Sequence, residues 1–344
     1  MNNNTIYLAV TVAFMIGLAI IGIMISRGVK SSEDWMVAGK SLGKIPMAGT
    51  YFATIVSATS IMSYMGYYYL NGWPGWWNAA GTLMTSFLAC IYFARKVRQS
   101  ECNTLPEFIE KRYSRAFSIP ASLLVVLCCP ALLANQVTGA VILLQSFVDW
   151  STITCCVILL LVFIVFTCIG GMKAVAWTDT VCALVIIVGV WIIAGEFLFR
   201  VGGFTAMNEG IAAVDPEFVQ GFSVSIPPMT ALSWVITWGI CNFGAPQFVA
   251  RFMSAESPEV ASKSQGITGI GLLLFYVPLA IIGLCGILIH PGIEKQDAVF
   301  TTLIMSEVTP LMGAVMLAAV VAAIISTADS LLLLVATTFT HDFY

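Results

Sequence analysis

Charge is what this 344-residue chain has least of: 10% of its residues are Asp, Glu, Lys or Arg, against roughly a quarter in soluble domains. With 59% hydrophobic residues and a mean hydropathy of +0.94, an ordinary soluble fold is excluded and an integral membrane protein is implied. Fifteen Lys and Arg against 18 Asp and Glu leave a formal charge of −3. No basic excess exists to hold a phosphate backbone, so a nucleic-acid partner is not expected. The cysteines form no CxxC pair. All but Cys102 lie in apolar runs and read as small core hydrophobes. No HExxH, GxSxG or P-loop is present, so no enzyme is expected, and His290 and His341 lack metal-ligand spacing. The N-terminal Met1-Asn2-Asn3-Asn4 has no basic region of a leader, and the apolar run behind it is long enough for a first helix that stays in place.

What the chain has is apolar runs. They occupy roughly 5–26, 45–70, 76–94, 117–147, 152–170, 177–199, 226–250, 267–289 and 310–340, which predicts nine helical crossings of a lipid bilayer. The runs are continuous rather than alternating, so helices and not barrel strands are indicated. With the N-terminus outside and the C-terminal end of the chain cytoplasmic, 13 of the 15 basic residues fall in inner loops, Arg251 among them; only Arg200 and Lys295 remain outside. That bias is the one that orients membrane proteins. Residues 105–113 predict an amphipathic helix on the inner surface, with Pro106 at its start. Segment 200–225, rich in glycine and acids, predicts an irregular outer cover. Trp73, Trp76 and Trp77 read as interface aromatics.

Two spans are polar or broken where hydrocarbon makes that costly. The second crowds Thr54, Ser57, Thr59, Ser60 and Ser63 into its middle. The seventh places Gly239, Gly244 and Pro246 inside a membrane run. Proline removes a backbone donor and glycine weakens the helix, so both are predicted to be interrupted. Interrupted helices five spans apart suggest an inverted repeat with a transport site at the breaks; isolated hydroxyls and glycines also serve simply to glue helices together. The ninth span holds Ala323, Ser326, Thr327, Asp329 and Ser330, with hydroxyls clustered on one face. Hydroxyls and freed carbonyls together suit a small hard cation. Asp329, an acid at depth, requires a cation, a proton or a polar partner. Asp179 near the start of span six poses the same question, with a helix-terminal acid as the alternative. Gln136 in span four faces either a solute or a neighbouring helix. Trp238 and Asn242, four apart, offer an aromatic wall beside an amide.

Beyond these features, three motifs carry a resemblance: Ser31-Ser32-Glu33-Asp34-Trp35-Met36-Val37-Ala38-Gly39-Lys40-Ser41-Leu42-Gly43, Thr104-Leu105-Pro106-Glu107-Phe108-Ile109-Glu110-Lys111-Arg112-Tyr113, and Gly170-Gly171-Met172-Lys173-Ala174-Val175-Ala176-Trp177-Thr178-Asp179. Together they resemble the sodium/solute symporter family, over essentially the whole chain. The resemblance implies an all-α integral membrane protein of the leucine-transporter-like class: an inverted five-helix repeat, here with its second repeat incomplete. The divisions expected are 1–44 (first helix and inner loop), 45–199 (first repeat), 200–225 (outer loop) and 226–344 (partial second repeat). It implies a sodium site on Val56, Thr59, Ala323, Ser326 and Thr327. Asp179, Asp329 and Ser330 are implied for a second cation or for coupling. The solute, a small organic molecule such as proline, a carboxylate or a vitamin, is expected at Ser57, Ser60, Gln136, Trp238, Asn242 and Pro246. The seventh span is most similar to the proline-transporting type, with two departures: Asn242 stands where that type has tyrosine, and Ala58 where it has aspartate. Asp329 stands where the family is usually neutral.

The expected activity is uptake of that solute driven by inward sodium flow, by alternating access, in the cell membrane. The alternative is a transporter-derived sensor domain of a signalling kinase. The chain ends after nine spans where the family core has ten helices after the first, which predicts a fragment or truncated product that alone binds sodium poorly.

Overall fold

The computed structural model describes residues 3–343, and the side chains of all of these except 58, 59, 169, 170, 241–243 and 343. Among the described residues every extended regular element is helical: α1 (Asn3–Ser26), α2 (Ser32–Val37), α3 (Lys44–Ile55), α4 (Ala58–Asn71), α5 (Trp77–Leu88), α6 (Ala94–Gln99), α7 (Leu105–Arg112), α8 (Arg115–Gln145), α9 (Thr152–Arg200), α10 (Phe204–Val214), α11 (Pro228–Gly244), α12 (Pro246–Ser254), α13 (Pro258–Ile289), α14 (Ala298–Glu307) and α15 (Pro310–Thr338). A lone β-bridge joins Leu42 to Ala255. Each expected apolar run coincides with a helix or with consecutive helices. Five of the described helices are long and apolar enough to span a bilayer unaided, and the bent pair α3–α4 makes a sixth if it is one span.

The exceptions have local causes. Between α3 and α4, Val56 leaves the helical region (φ −84°, ψ 77°) and Ser57 is extended. The segments Lys44–Ile55 and Ser60–Asn71 are bent by 58°. The Ser60 hydroxyl donates to the Ile55 carbonyl at 2.6 Å, covering an acceptor that the break leaves without its ladder partner. Between α11 and α12, Ala245 is extended (φ −70°, ψ 122°) and Pro246, which has no N–H to lose, starts the next helix. The third run is divided by a π turn at Ala89–Phe93. The fifth and sixth runs are two helical segments of α9, separated by the non-helical Gly171 (φ 55°, ψ −170°).

Around these breaks the core is built from α13 and α15, whose residues from Leu279 to Leu284 and from Ala314 to Ala323 are almost wholly buried. α15 packs on α9, α8 and α1, and α11 lies along α5. The outer faces of α8 and α9 expose Leu124, Leu127, Ile153, Ile164 and Leu184, the apolar surface that a bilayer would cover. The loop motif at 31–43 folds as α2 behind a reciprocal cap, the Ser31 hydroxyl accepting from Asp34 N–H while Asp34 accepts from Ser31 N–H. The Lys30 N–H and then the Ser31 hydroxyl hold the Asp34 carboxyl below its ordinary range. α7 forms as expected, capped by Thr104.

Three other expectations change. Segment 200–225 is not irregular throughout: α10 buries Met207 and Ile211, one turn apart, which gives it an apolar face. The tryptophans hold that segment down, since Trp73 Nε1 donates to Asn208 at 2.7 Å, Trp77 Nε1 donates to the Gly221 carbonyl at 2.7 Å, and Trp77 stacks on Phe222. Arg251 is not a loop residue. It lies within α12 with 1% of its surface exposed, because its guanidinium finds enough acceptors in the core to replace water.

Candidate functional site

The two breaks open on one cavity of about 290 Å³. Ser57 and Ser60 reach it from the α3–α4 break, Gln136 from α8, Trp238 from α11 and Thr327 from α15. Four of the six residues expected to meet the solute are therefore brought together. Pro246 is not among the lining residues, whereas Gln247 and Phe248 directly after it are. The side chain of Asn242 lies outside the described residues, as does that of Thr59.

Among the described residues no charged side chain lines the cavity, and three side-chain amide oxygens on it, Asn78 Oδ1, Gln136 Oε1 and Gln247 Oε1, are buried without a hydrogen-bond partner. A buried acceptor left unpaired is costly, so such a group marks a place for water or a ligand. Tyr64, Tyr67 and Tyr276 complete an aromatic side. Carbonyls of α11 before its break are covered differently: the single Thr85 hydroxyl of α5 lies 2.7 Å from Trp238 O and 2.9 Å from Gly239 O and is shared between them. The two helices come close enough for this because Gly81 has no side chain; a Cβ there would sit 2.9 Å from Trp234 O.

The polar residues of α15 divide into three groups. Thr327 lines the cavity and donates to Ala323 O at 3.0 Å and, more weakly, to Ala53 O at 3.4 Å. This brings α15 against the last turn of α3, immediately before Val56. The Ser326 hydroxyl instead donates to Asp179 Oδ1. Asp179 is wholly buried two turns beyond Gly171, and it also accepts from Thr50 Oγ1 at 2.6 Å. It is no helix-terminal acid.

Ser330 donates to Ser326 O at 2.8 Å and accepts from Arg251 Nη2. The arginine also donates from Nε to Thr50 O at 3.2 Å and from Nη1 to Gln247 O at 2.7 Å. Arg251 and Asp179 are thus joined through Thr50 on one side and through Ser330 and Ser326 on the other. Asp329 stands apart, accepting from Thr167 of α9 at 2.9 Å.

Sequence reasoning missed Gln247 and Arg251. Both carried a signal: Gln247 is a polar residue inside the seventh apolar run just after its break, and Arg251 directly follows the end of that run.

The family model for the sodium:solute symporter family matches residues 35–344. Similar proteins include the sodium/proline symporters of Salmonella typhimurium, 27% identical over 96% of this chain and 69% of that protein, and of Haemophilus influenzae, 28% identical over 96% and 69%. Among solved structures, a Na+-coupled sialic acid symporter in a substrate-bound outward-open state aligns with a TM-score of 0.84 at 21% identity, covering 98% of this chain and 73% of that one. That likeness shows the leucine-transporter-like fold. Broken helices facing an uncharged cavity, in a multi-pass membrane protein matched to the family model over nine-tenths of its length, have one consistent explanation: the chain belongs to the sodium:solute symporter family, and sodium is its coupling ion.

Proposed function

We propose that the cavity is the solute site and that it takes a small molecule of no net charge, such as an amino acid of the proline type. The observation that carries this is the lining: hydroxyls, aromatic rings and three unpartnered amide oxygens, with no ionised side chain. Amide oxygens accept from an ammonium without fixing a second charge beside it. Organic carboxylates and vitamins with a net negative charge, which the family also suggests, would find no counter-charge in this lining. The sodium/proline names of the relatives point the same way, and the sensor reading finds no support among them. The test is sodium-dependent accumulation across a panel of neutral amino acids, carboxylates and sugars by the full-length protein in proteoliposomes. Gln136→Leu and Gln247→Leu are each expected to raise the solute half-saturation about tenfold, equivalent to about 1.4 kcal/mol, and Asn242→Tyr to shift solute preference, all with little effect on sodium. A solute profile unchanged in all three variants would remove the cavity from the reading.

The sodium ion is assigned to the junction of the first break and α15: the carbonyls of Val56, Thr59 and Ala323 and the hydroxyls of Ser326 and Thr327. Support comes from the Thr327 contacts, which tie Ala323 to the end of α3. Ser326→Ala and Thr327→Ala are each expected to raise the sodium half-saturation about tenfold, since each removes one of few ligands to a hard cation. Sodium titration of thermal stability reads this without transport, and unchanged values in both variants would refute the site. Asp179 and Ser330 are read as partners of Arg251, which brings the positive charge a second cation would otherwise supply.

The inverted repeat is read as beginning at α3–α4 and again at α11–α12, because both halves then open on a broken helix. With Arg251 withdrawn from the loops, 12 of the other 14 basic residues still fall on one side, which supports an outside N-terminus in a lipid bilayer. No catalytic step and no nucleic-acid partner enters this reading.

A further inference from the structure

At the junction of α7 and α8 the exposed side chains follow one another in a fixed order. α7 ends with Lys111 and Arg112, Tyr113 and the extended Ser114 turn the chain, and Arg115 opens α8. All five are exposed. Lys111 lies 3.9 Å from Glu107 of its own helix, but among the described residues neither Arg112 nor Arg115 has an acid within ion-pair distance. Glu110 is the only acid within residues 110–117, against three basic residues. Two positive charges are therefore left over at the point where the chain enters its fourth apolar run.

The aromatic and apolar side chains continue from these charges. The Arg112 guanidinium lies over the Tyr113 ring, 5.9 Å from its centroid, and the Tyr113 and Phe117 centroids are 5.9 Å apart. Both rings stand out from the protein, Tyr113 70% and Phe117 63% exposed, a placement that suits the headgroup level of a membrane. Beyond them α8 buries the seam Ser118, Ser122, Val125 and Cys129 and turns its opposite face outward. Phe117, Leu124 and Leu127 are exposed there, since residues seven and ten positions on return to within a quarter turn of the first. From Phe117 to Leu127 this stripe rises about 15 Å, half of the roughly 30 Å of hydrocarbon in a bilayer. The order is cation, amphipathic ring, apolar ring, and an apolar stripe one leaflet deep.

We propose that the α7–α8 junction binds an anionic phospholipid, its phosphate met by Arg112 and Arg115, its ester region by Tyr113, and an acyl chain lying along Phe117, Leu124 and Leu127. A guanidinium is weakly hydrated and presents a planar pair of donors to phosphate oxygens. A zwitterionic headgroup would bring an ammonium into a surface that already has excess positive charge, so the net negative headgroup is the one that fits. The site lies away from the solute cavity and the sodium junction. Its test reads lipid binding and not uptake, so it stands or falls separately from both.

The experiment is the thermal stability of the full-length protein in a neutral detergent at constant sodium, titrated with phosphatidylglycerol or with phosphatidylcholine of the same acyl chains. Phosphatidylglycerol should stabilise at a mole fraction about tenfold lower than phosphatidylcholine. Glycerol phosphate, which has the charge without the chains, should not reproduce the shift. Arg112→Gln and Arg115→Gln should each raise the half-saturating fraction of phosphatidylglycerol about fivefold. Both side chains are exposed, so the variants should fold. Arg112→Lys with Arg115→Lys, which keeps the charge and loses the planar fork, should fall between parent and glutamine variants. Removing two other exposed charges, Lys96→Gln with Lys263→Gln, should leave the response within about twofold. Equal responses to the two lipids, a shift produced by glycerol phosphate alone, or a loss in the Lys96 and Lys263 variant as large as in the arginine variants would each overturn the proposal, the last by reducing it to general surface charge. So would the absence of any response to either lipid, the result if protein rather than lipid covers the stripe.

Discussion

Replacing Arg251 by Met, or Asp179 by Asn, is expected to cost about 3–5 kcal/mol of stability in each case, and replacing both is expected to cost less than the sum. Arg251 is 1% exposed and Asp179 wholly buried, so neither can turn to water when the other is removed. The charges are not in direct contact; Thr50 and the Ser326–Ser330 step carry the hydrogen bonds between them. Removing the guanidinium leaves a carboxylate with two hydroxyl donors and no counter-charge. Removing the carboxylate leaves a guanidinium bound only to neutral acceptors. Each is a lone charge in a medium that solvates it poorly. The double variant has neither, so a double-mutant cycle on the purified protein should give a coupling of about 1–3 kcal/mol. Strictly additive losses would show that the two residues are stabilised independently.

The same pair carries a functional expectation. Sodium should stabilise Arg251→Met more than it stabilises the parent, because Asp179, Ser326 and Ser330 then present free oxygens to a cation where a fixed one stood.

How much of this was legible in the sequence follows from the range of the forces involved. The spans could be read because burial in lipid requires a long apolar run wherever a helix crosses. The breaks could be read because Gly244 and Pro246, or five hydroxyl residues in one run, act on their own backbone. What could not be read was rotation. Ser326 and Thr327 are adjacent, yet the Ser326 hydroxyl donates to Asp179 while Thr327 lines the cavity. Successive residues on a helix face about 100° apart, and which of them meets α9 is fixed by packing between elements some 150 positions distant in sequence. The displacement from Pro246 to Gln247 in the cavity lining has the same origin. The sequence places Arg251 in a loop because a positive charge at the end of an apolar run ordinarily marks the membrane surface; the acceptors gathered from α3, α12 and α15 hold it in the core instead.

Gly171→Ala is expected to cost about 3 kcal/mol or more. At φ 55° and ψ −170° the backbone lies in a region that glycine occupies almost alone, and a side chain there costs about 1–3 kcal/mol. The added Cβ would also sit 2.8 Å from both Trp35 Cδ1 and the Trp35 carbonyl oxygen, an overlap worth about another 1–3 kcal/mol. Two of the motifs that carry the family resemblance thereby acquire one physical reason: the tryptophan of the 31–43 segment closes on the glycine of the 170–179 segment. The consequence reaches the site, because the kink at Gly171 sets the direction of the helix that carries Asp179 to Ser326 and Thr50. Gly171→Ala should therefore lower thermal stability and raise the sodium half-saturation together. Adding Trp35→Ala should recover only part of the loss, since the indole is removed but the carbonyl and the backbone strain remain. Full recovery in the double variant would mean that the ring alone demands the glycine. A Gly171→Ala protein as stable as its parent would mean that α9 can straighten here without disturbing Asp179.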